Sequence, residues 1–215
     1  MPISLVIADD HHLVREAFRA LLSRHDDIKI VAEAATGDEA VQLTRDRTPD
    51  VLLIDLAMPG MNGIDAITAV MQERPSQKVL ALSSHTAQKW ILRALRAGVR
   101  GYVLKTETAE NLGAAVRTVN KGGRWFSNEV GALIARLAVD PRLAAVDPLD
   151  RLSQRQRTIL QLIAEGRTNK EMAVALHISE STVDSHRTQL MRRLDVHDIA
   201  SLVRVAYQEG IIEIE

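Results

Sequence analysis

At 215 residues with 46% apolar side chains, the chain has room for one large domain or two modest ones, each with its own core. It contains no cysteine, which excludes disulfides and thiolate metal sites. A formal net charge of −1, with 14 basic and 15 acidic residues in 1–120, 4 and 3 in 121–149, and 9 and 10 in 150–215, leaves no strongly basic segment. Any nucleic-acid reading therefore needs more than bulk charge. The opening MPISLVIADDHH turns acidic after one short apolar run and is expected not to be a signal peptide. No apolar run approaches the length of a membrane span.

Strand-like and helix-like segments alternate through the first 120 residues. Ile3–Ala8 reads as a strand, and Leu13–Leu22 as a helix through Leu13, Ala17, Leu21 and Leu22. Ile28–Ala32 is strand-like, and Gly37–Arg45 is helical with Ala40, Val41 and Thr44 on one side. Val51–Ile54 is a continuous apolar run ending in Asp55 and followed by the breakers Pro59, Gly60 and Gly63, as expected of a strand buried on both faces. A helix over Ile64–Glu73, a strand at Val79–Leu82, a helix over Thr86–Arg96, a strand at Gly101–Leu104 and a helix over Ala109–Asn120 complete five β/α units. Such alternation implies a parallel, doubly wound α/β sheet with helices on both faces.

The polar residues at the strand ends then fall on one rim. Asp9 and Asp10 follow the first strand, Asp55 ends the third, Ser83 the fourth and Lys105 the fifth. Carboxylates that close repel unless a cation lies among them, and an oxygen-only ligand set suits Mg²⁺. With Mg²⁺ and Lys105 screening it, Asp55 can attack a phosphoryl donor and become an acyl phosphate, and Ser83 can hydrogen-bond the same oxygens. The bland alternative is a helix-capping acidic pair and a solvated lysine. His11 and His12 are expected to cap or face solvent, since a hard oxygen-bound site does not favour them.

Together DD after the first strand, DLAMPGMNG, LSSH and GYVLK resemble a two-component receiver domain over residues 1–120. The resemblance implies a flavodoxin-like sheet of five parallel strands in the order 2-1-3-4-5, with Asp55 as phosphoacceptor, fed by a sensor histidine kinase. It further implies that Asp10, Asp55 and the Ala57 carbonyl hold Mg²⁺, with Asp9 assisting through water. Ser83 and Tyr102 match the family's switch pair. On its residue type alone, Tyr102 reads as a half-buried strand aromatic with a wet hydroxyl. Neither Ala57 nor His85 is an evident water orienter, so a long-lived phosphoryl group is expected.

Gly122-Gly123 closes the last helix of this region, and Ser127–Val139 carries a helical stripe of Val130, Leu133, Ile134, Leu137 and Ala138. Asp140-Pro141 and Asp147-Pro148 punctuate the next stretch, so the expected division is 1–121, a linker at 122–150 with a helix in it, and 151–215. The last segment shows helices only. These are Ser153–Glu165, closed by Gly166; Lys170–Leu176, opened by a Thr168/Glu171 capping box; Glu180–Leu194, with Val183, Leu190 and Leu194 inward; and Asp198–Gln208. A short helix, a tight turn and a second helix match helix-turn-helix geometry, and a generic helical bundle is the alternative.

The stretch LSQRQRTILQLIAEGRTNKEMAVALHISESTVDSHRTQLMRRL is similar to the LuxR-type helix-turn-helix of NarL/FixJ response regulators. The resemblance implies a four-helix, all-α domain that binds double-stranded promoter DNA, with Glu180–Arg193 as recognition helix. Asn169, Lys170 and Thr182 would hold phosphates, Arg187, Arg192 and Arg193 would supply charge, and Asp184, Ser185 and Thr188 would face the bases. Asp184 departs from the lysine frequent at its position. It could accept a hydrogen bond from cytosine or merely serve its helix. Val203, Ala206 and Tyr207 are candidates for a homodimer contact. The whole reads as a cytoplasmic transcription regulator, switched at Asp55 through dimerisation or release of the recognition helix, with RNA polymerase as a further candidate partner. It would catalyse only its own phosphotransfer and dephosphorylation. An Asp-nucleophile phosphatase would keep a second acid two residues after Asp55, where Ala57 stands. An adaptor indifferent to phosphorylation would have no need of the acidic triad, Ser83 and Lys105.

Overall fold

The computed structural model describes residues 1–140, 148–209 and 211–212, and the chain divides into two units, Met1–Ala144 and Ala145–Glu215. In the first unit, β1 (Ile3–Ala8), β2 (Ile28–Ala34), β3 (Val51–Asp55), β4 (Lys78–Ser83), β5 (Gly101–Leu104) and β6 (Trp125–Phe126) form one sheet, ordered β2-β1-β3-β4-β5-β6. Every pairing is parallel. Helices α1 (His12–Leu22), α2 (Gly37–Arg47), α3 (Gly63–Glu73), α4 (Gln88–Ala97) and α5 (Ala109–Asn120) link successive strands.

The continuous apolar runs are explained by what covers the sheet. Along β3, Leu52 and Ile54 pack with Ala40, Ile67 and Trp90 from α2, α3 and α4. Val51 and Leu53 pack on the opposite face with Phe18, Leu112 and Val116 from α1 and α5. Alternate residues thus enter two different cores, so neither parity can be polar.

The structure departs from expectation in three places. The sheet has six strands, not five: Tyr102 pairs with Phe126, extending the sheet beyond β5. The interval expected as linker therefore begins with β6 and with α6 (Asn128–Val139), whose Val130, Leu133 and Ile134 pack on the α2–α4 core of the first unit. The α1 stripe is also rotated. Phe18 and Leu22 are buried and Val14 and Leu21 pack against the same core, whereas Leu13 is 77% exposed. The larger side chains at positions i, i+4, i+7 and i+8 take the core face.

The second unit is helical. A 3-10 turn at Pro148–Arg151 leads to α7 (Gln154–Ala164), α8 (Asn169–Ala175), α9 (Glu180–Leu194) and α10 (Ile199–Gln208). Both α7 and α8 open with a complete capping box, Ser153/Gln156 and Thr168/Glu171, which satisfies two otherwise orphaned N–H groups at each start. His177, with φ 52°, turns the chain between α8 and α9. Ile159, Leu160, Met172, Val183, Leu190 and Leu202 build the core. The all-α helix-turn-helix architecture expected for this segment is present.

Candidate functional site

Backbone ladders deliver the acidic cluster to the carboxyl ends of the strands, where open α/β sheets place their chemistry. Asp9 N–H donates to the Ala34 carbonyl (3.2 Å), Leu56 N–H to Leu82 (3.2 Å) and Lys105 N–H to Ser83 (2.9 Å), so β1, β3 and β5 end on one rim. Past β3 the chain turns back sharply. Gly63 N–H donates to the Leu56 carbonyl (3.0 Å), and Asn62 caps α3 by accepting from Asp65 N–H (2.9 Å).

On that rim Lys105 Nζ lies 2.8 Å from Asp9 Oδ2 and 2.8 Å from Asp55 Oδ2, bridging the two buried carboxylates. Asp9 Oδ1 accepts the His11 N–H (2.9 Å), and Asp55 Oδ1 accepts the Ala57 N–H (3.3 Å). Ligand atoms of Asp9, Asp10, His11 and Asp55 all fall within 4.8 Å of one another. Three carboxylates at that spacing are a hard-oxygen donor set that fits a small divalent cation. His11 faces solvent, one of the two roles expected of it, with its side chain 59% exposed. It provides no side-chain cap to α1, and its Nδ1 lies 2.9 Å from Asp10 Oδ1. His12 is exposed, 3.8 Å from Glu16.

Burial dominates the titration of Asp55. It pushes the carboxyl up from 3.8 to about 6, against the pull of Lys105 in the opposite direction. Burial also works against the Lys105 ammonium, but Asp55 and Asp9 outweigh it and hold its pKa above the usual lysine value. A carboxyl with a higher pKa folded than unfolded binds more protons in the folded state between those values. Stability from this group is thus greatest at low pH and is lost as pH rises from near 4 through about 6. An Asp55→Asn chain mimics the protonated carboxyl. In EDTA it is expected to outlast the parent at neutral pH by up to about 3 kcal/mol, the gap closing near pH 4. Thermal unfolding at both pH values measures this, and equal midpoints at neutral pH would contradict it.

The candidate switch residues are also brought together. Ser83 is buried, and its Oγ accepts the His85 N–H (3.0 Å). Tyr102 is not half-buried with a wet hydroxyl: its ring is fully enclosed, and its hydroxyl donates to the His85 carbonyl (2.8 Å). That enclosure pushes the phenol up to about 12. No local pattern marks His85 as the joint between the two. Its ring stacks on Trp90 with centroids 4.6 Å apart and planes 4° from parallel, while its backbone serves Ser83 and Tyr102. Arg15, equally unmarked in the sequence, donates from Nη1 to the Asp9 carbonyl (2.5 Å), pinning the turn that carries the acidic pair.

In the second unit the residues expected to meet DNA are partly spoken for. Lys170, Ser185, Thr188 and Arg192 lie on the surface. The Ser185 and Thr188 hydroxyls donate to the Ser181 (3.0 Å) and Asp184 (3.0 Å) carbonyls. Thr182 shares its hydroxyl with Ser179 (2.8 Å). Arg193 is exposed as well, and its Nη1 donates to the Arg151 carbonyl (2.7 Å) and Gln156 Oε1 (2.9 Å). Asn169, Asp184 and Arg187 contact one another. Of the three dimer candidates, Ala206 is completely buried in its own core and offers no surface, Val203 is partly buried, and Tyr207 is 51% exposed. Ile199, absent from the sequence-based candidates, is 47% exposed and lies two turns before Tyr207.

Comparison with known proteins agrees with this geometry. Residues 5–117 match the response regulator receiver domain, and residues 150–206 match the luxR family of bacterial regulatory proteins. The oxygen regulatory protein NreC of Staphylococcus haemolyticus is 36% identical over 98% of this chain and 100% of its own length. The response regulator VraR of Staphylococcus aureus is 36% identical over 99% of this chain and 100% of its own. Among solved structures, an RcsB–DNA complex aligns with 25% identity and a TM-score of 0.59, covering 96% of this chain and 98% of that one. With a flavodoxin-like sheet carrying an acidic rim and a helix-turn-helix unit following it in sequence, this chain belongs to the two-component response regulators that join a receiver domain to a LuxR-type DNA-binding domain.

Proposed function

We propose that the chain is a transcription regulator whose binding to promoter DNA is set by phosphorylation of Asp55 from a sensor histidine kinase. The convergence of Asp9, Asp10, Asp55 and Lys105 on one rim carries this reading. Asp55 is the phosphoacceptor. Mg²⁺ would be held by Asp10, Asp55 and the Ala57 carbonyl, with Asp9 acting through water, and would offset the charge of the incoming phosphoryl group. Ser83 and Lys105 receive the phosphoryl oxygens, and Tyr102 answers the movement of Ser83 through their shared partner His85. The chain turns over no external substrate. The DNA-bound relative supports the output, and kinase phosphohistidine and chromosome share the cytoplasm, where we place the chain. The described residues include no helix long and apolar enough to cross a membrane.

Dimerisation through α10 is our preferred output, with Ile199, Val203 and Tyr207 lying along one face at spacings of four, and RNA polymerase is a further partner of the assembled form. The test is mass in solution with Mg²⁺, with and without beryllofluoride, for the parent and Asp55→Ala. Doubling in the parent alone is expected, and a parent whose mass and DNA affinity both stay unchanged would overturn the reading.

The phosphoryl lifetime should respond to position 57. Ala57 has no group to orient a water, and the His85 ring is occupied by Trp90. Ala57→Asn adds a carboxamide beside the acyl phosphate and is expected to shorten its half-life by about tenfold or more. Loss of label from purified phosphoprotein measures it.

A further inference from the structure

Three residues from the proposed DNA face form a closed ring. Asn169 is the first residue of α8, and Asp184 and Arg187 stand one turn apart on α9. Asn169 Nδ2 donates to Asp184 Oδ1 at 2.7 Å. Arg187 Nη1 donates to Asn169 Oδ1 at 2.6 Å and lies 3.5 Å from Asp184 Oδ1. Both ends of the Asn169 amide are thereby used, which fixes its orientation. The Arg187 side chain is only 20% exposed while that of Asp184 is 65% exposed, so the acid stands outermost. Arg187 also lines a cavity of about 370 Å³ with Met172 and Ile199.

We propose that Asp184 is a specificity-determining positioning residue: it holds Asn169 and Arg187 in a neutral, closed ring that weakens binding to DNA of arbitrary sequence. This rests on the DNA-binding reading above and deepens it. A phosphate approaching Arg187 meets the Asp184 carboxylate first, so the cation contributes little of the sequence-independent attraction that dominates non-specific binding. Opening the ring breaks two hydrogen bonds that involve ionised groups, stronger than neutral ones. Only a site offering Arg187 a well-placed acceptor and Asp184 a donor replaces both. Discrimination then arises by disfavouring wrong sites rather than by tightening the right one. The formal balance of 9 basic against 10 acidic residues over 150–215 fits a surface held back from indiscriminate binding.

The test uses the full chain, activated with beryllofluoride, and two probes: a randomised duplex pool, and the sequences the parent itself selects from that pool. Asp184→Asn keeps the shape and removes the charge, and Asp184→Ala removes the ring. Both should bind the randomised pool about threefold or more tightly and steepen the salt dependence by about 0.9, the value of one added phosphate contact. The preference for selected over random duplex should fall by at least the same factor, with the selected sequence unchanged. Unfolding midpoints confirm that both variants fold, as an exposed helix-surface position allows. An unchanged salt slope, or a change confined to one base pair of the selected sequence, would overturn the inference, the latter assigning base readout to Asp184. A parent that selects nothing from the pool fails at the earlier step, the DNA-binding reading itself.

Discussion

An Asp55→Asn chain given Mg²⁺ and acetyl phosphate is expected to gain no phosphoryl group, whereas the parent gains one, as intact mass will report. A carboxylate oxygen of Asp55 must attack phosphorus while the bond to the acetate oxygen breaks, and acetate leaves with that bond's electrons. An amide oxygen in the same place carries no charge and forms no stable acyl phosphate. Asparagine nonetheless leaves Lys105 paired with Asp9 and leaves Ser83 bound to the His85 amide, so the pocket survives and only the nucleophile is lost. The cluster contains its own control. Asp9 and Asp10 lie within the same 4.8 Å grouping, but Asp9 Oδ1 accepts from the His11 amide and Asp9 Oδ2 faces Lys105. Persistent labelling of the variant would mean that one of these two is the acceptor, and would displace Asp55 from the centre of the mechanism. Loss of labelling should bring loss of phosphorylation-dependent dimerisation and of DNA affinity gained on activation.

The strand that ends in Asp55 was legible because β3 announces itself: four apolar residues run into one acid and a Pro-Gly turn, the pattern that burial on two faces requires. The helix-turn-helix was legible through its resemblance to the LuxR family; the Thr168/Glu171 capping box marked one helix start, but periodicity alone left a generic helical bundle open. Other features depended on information a local pattern does not hold. Leu13 and Val14 are both apolar, and only the weight of Phe18 on the second stripe fixes the phase of α1. Trp125–Phe126 is too short to register as a strand until β5 lends it an edge. Ala206 looks like a small interfacial residue, yet it closes its own core. Arg193 reads as surface charge and is exposed, but its bonds to Arg151 and Gln156, some forty positions earlier, carry no local signal. The stacking of His85 on Trp90 and the closed ring around Asp184 join residues whose contact the fold alone creates.

Gly63→Ala is expected to destabilise the receiver unit by about 4 kcal/mol or more, among the largest effects of any single substitution. The cause is space rather than backbone freedom. A Cβ at Gly63 would stand 1.9 Å from the Asp55 carbonyl oxygen, 2.7 Å from Leu56 Cα and 2.8 Å from the Asp55 carbonyl carbon. All three are backbone atoms at the end of a strand buried at every position, so no side-chain rotation relieves the overlap. The first turn of α3 must withdraw, which breaks the Gly63 N–H bond to the Leu56 carbonyl and shifts the strand end that presents Asp55. Two controls isolate this cause. Gly131, inside α6, has nothing within 4 Å of a built Cβ, so Gly131→Ala should stabilise by about 0.5–1 kcal/mol through helix propensity. Gly60 also has open space but sits at φ +75°, so Gly60→Ala should cost about 1–2 kcal/mol through its left-handed backbone alone. Urea unfolding of the three variants should therefore rank them 131, 60, 63 from most to least stable. Any Gly63→Ala protein that folds should also accept phosphoryl groups poorly, since the residue that packs the turn is the residue that aims the nucleophile. A Gly63→Ala chain with parental stability and parental phosphorylation would show that the β3–α3 turn is looser than these distances allow.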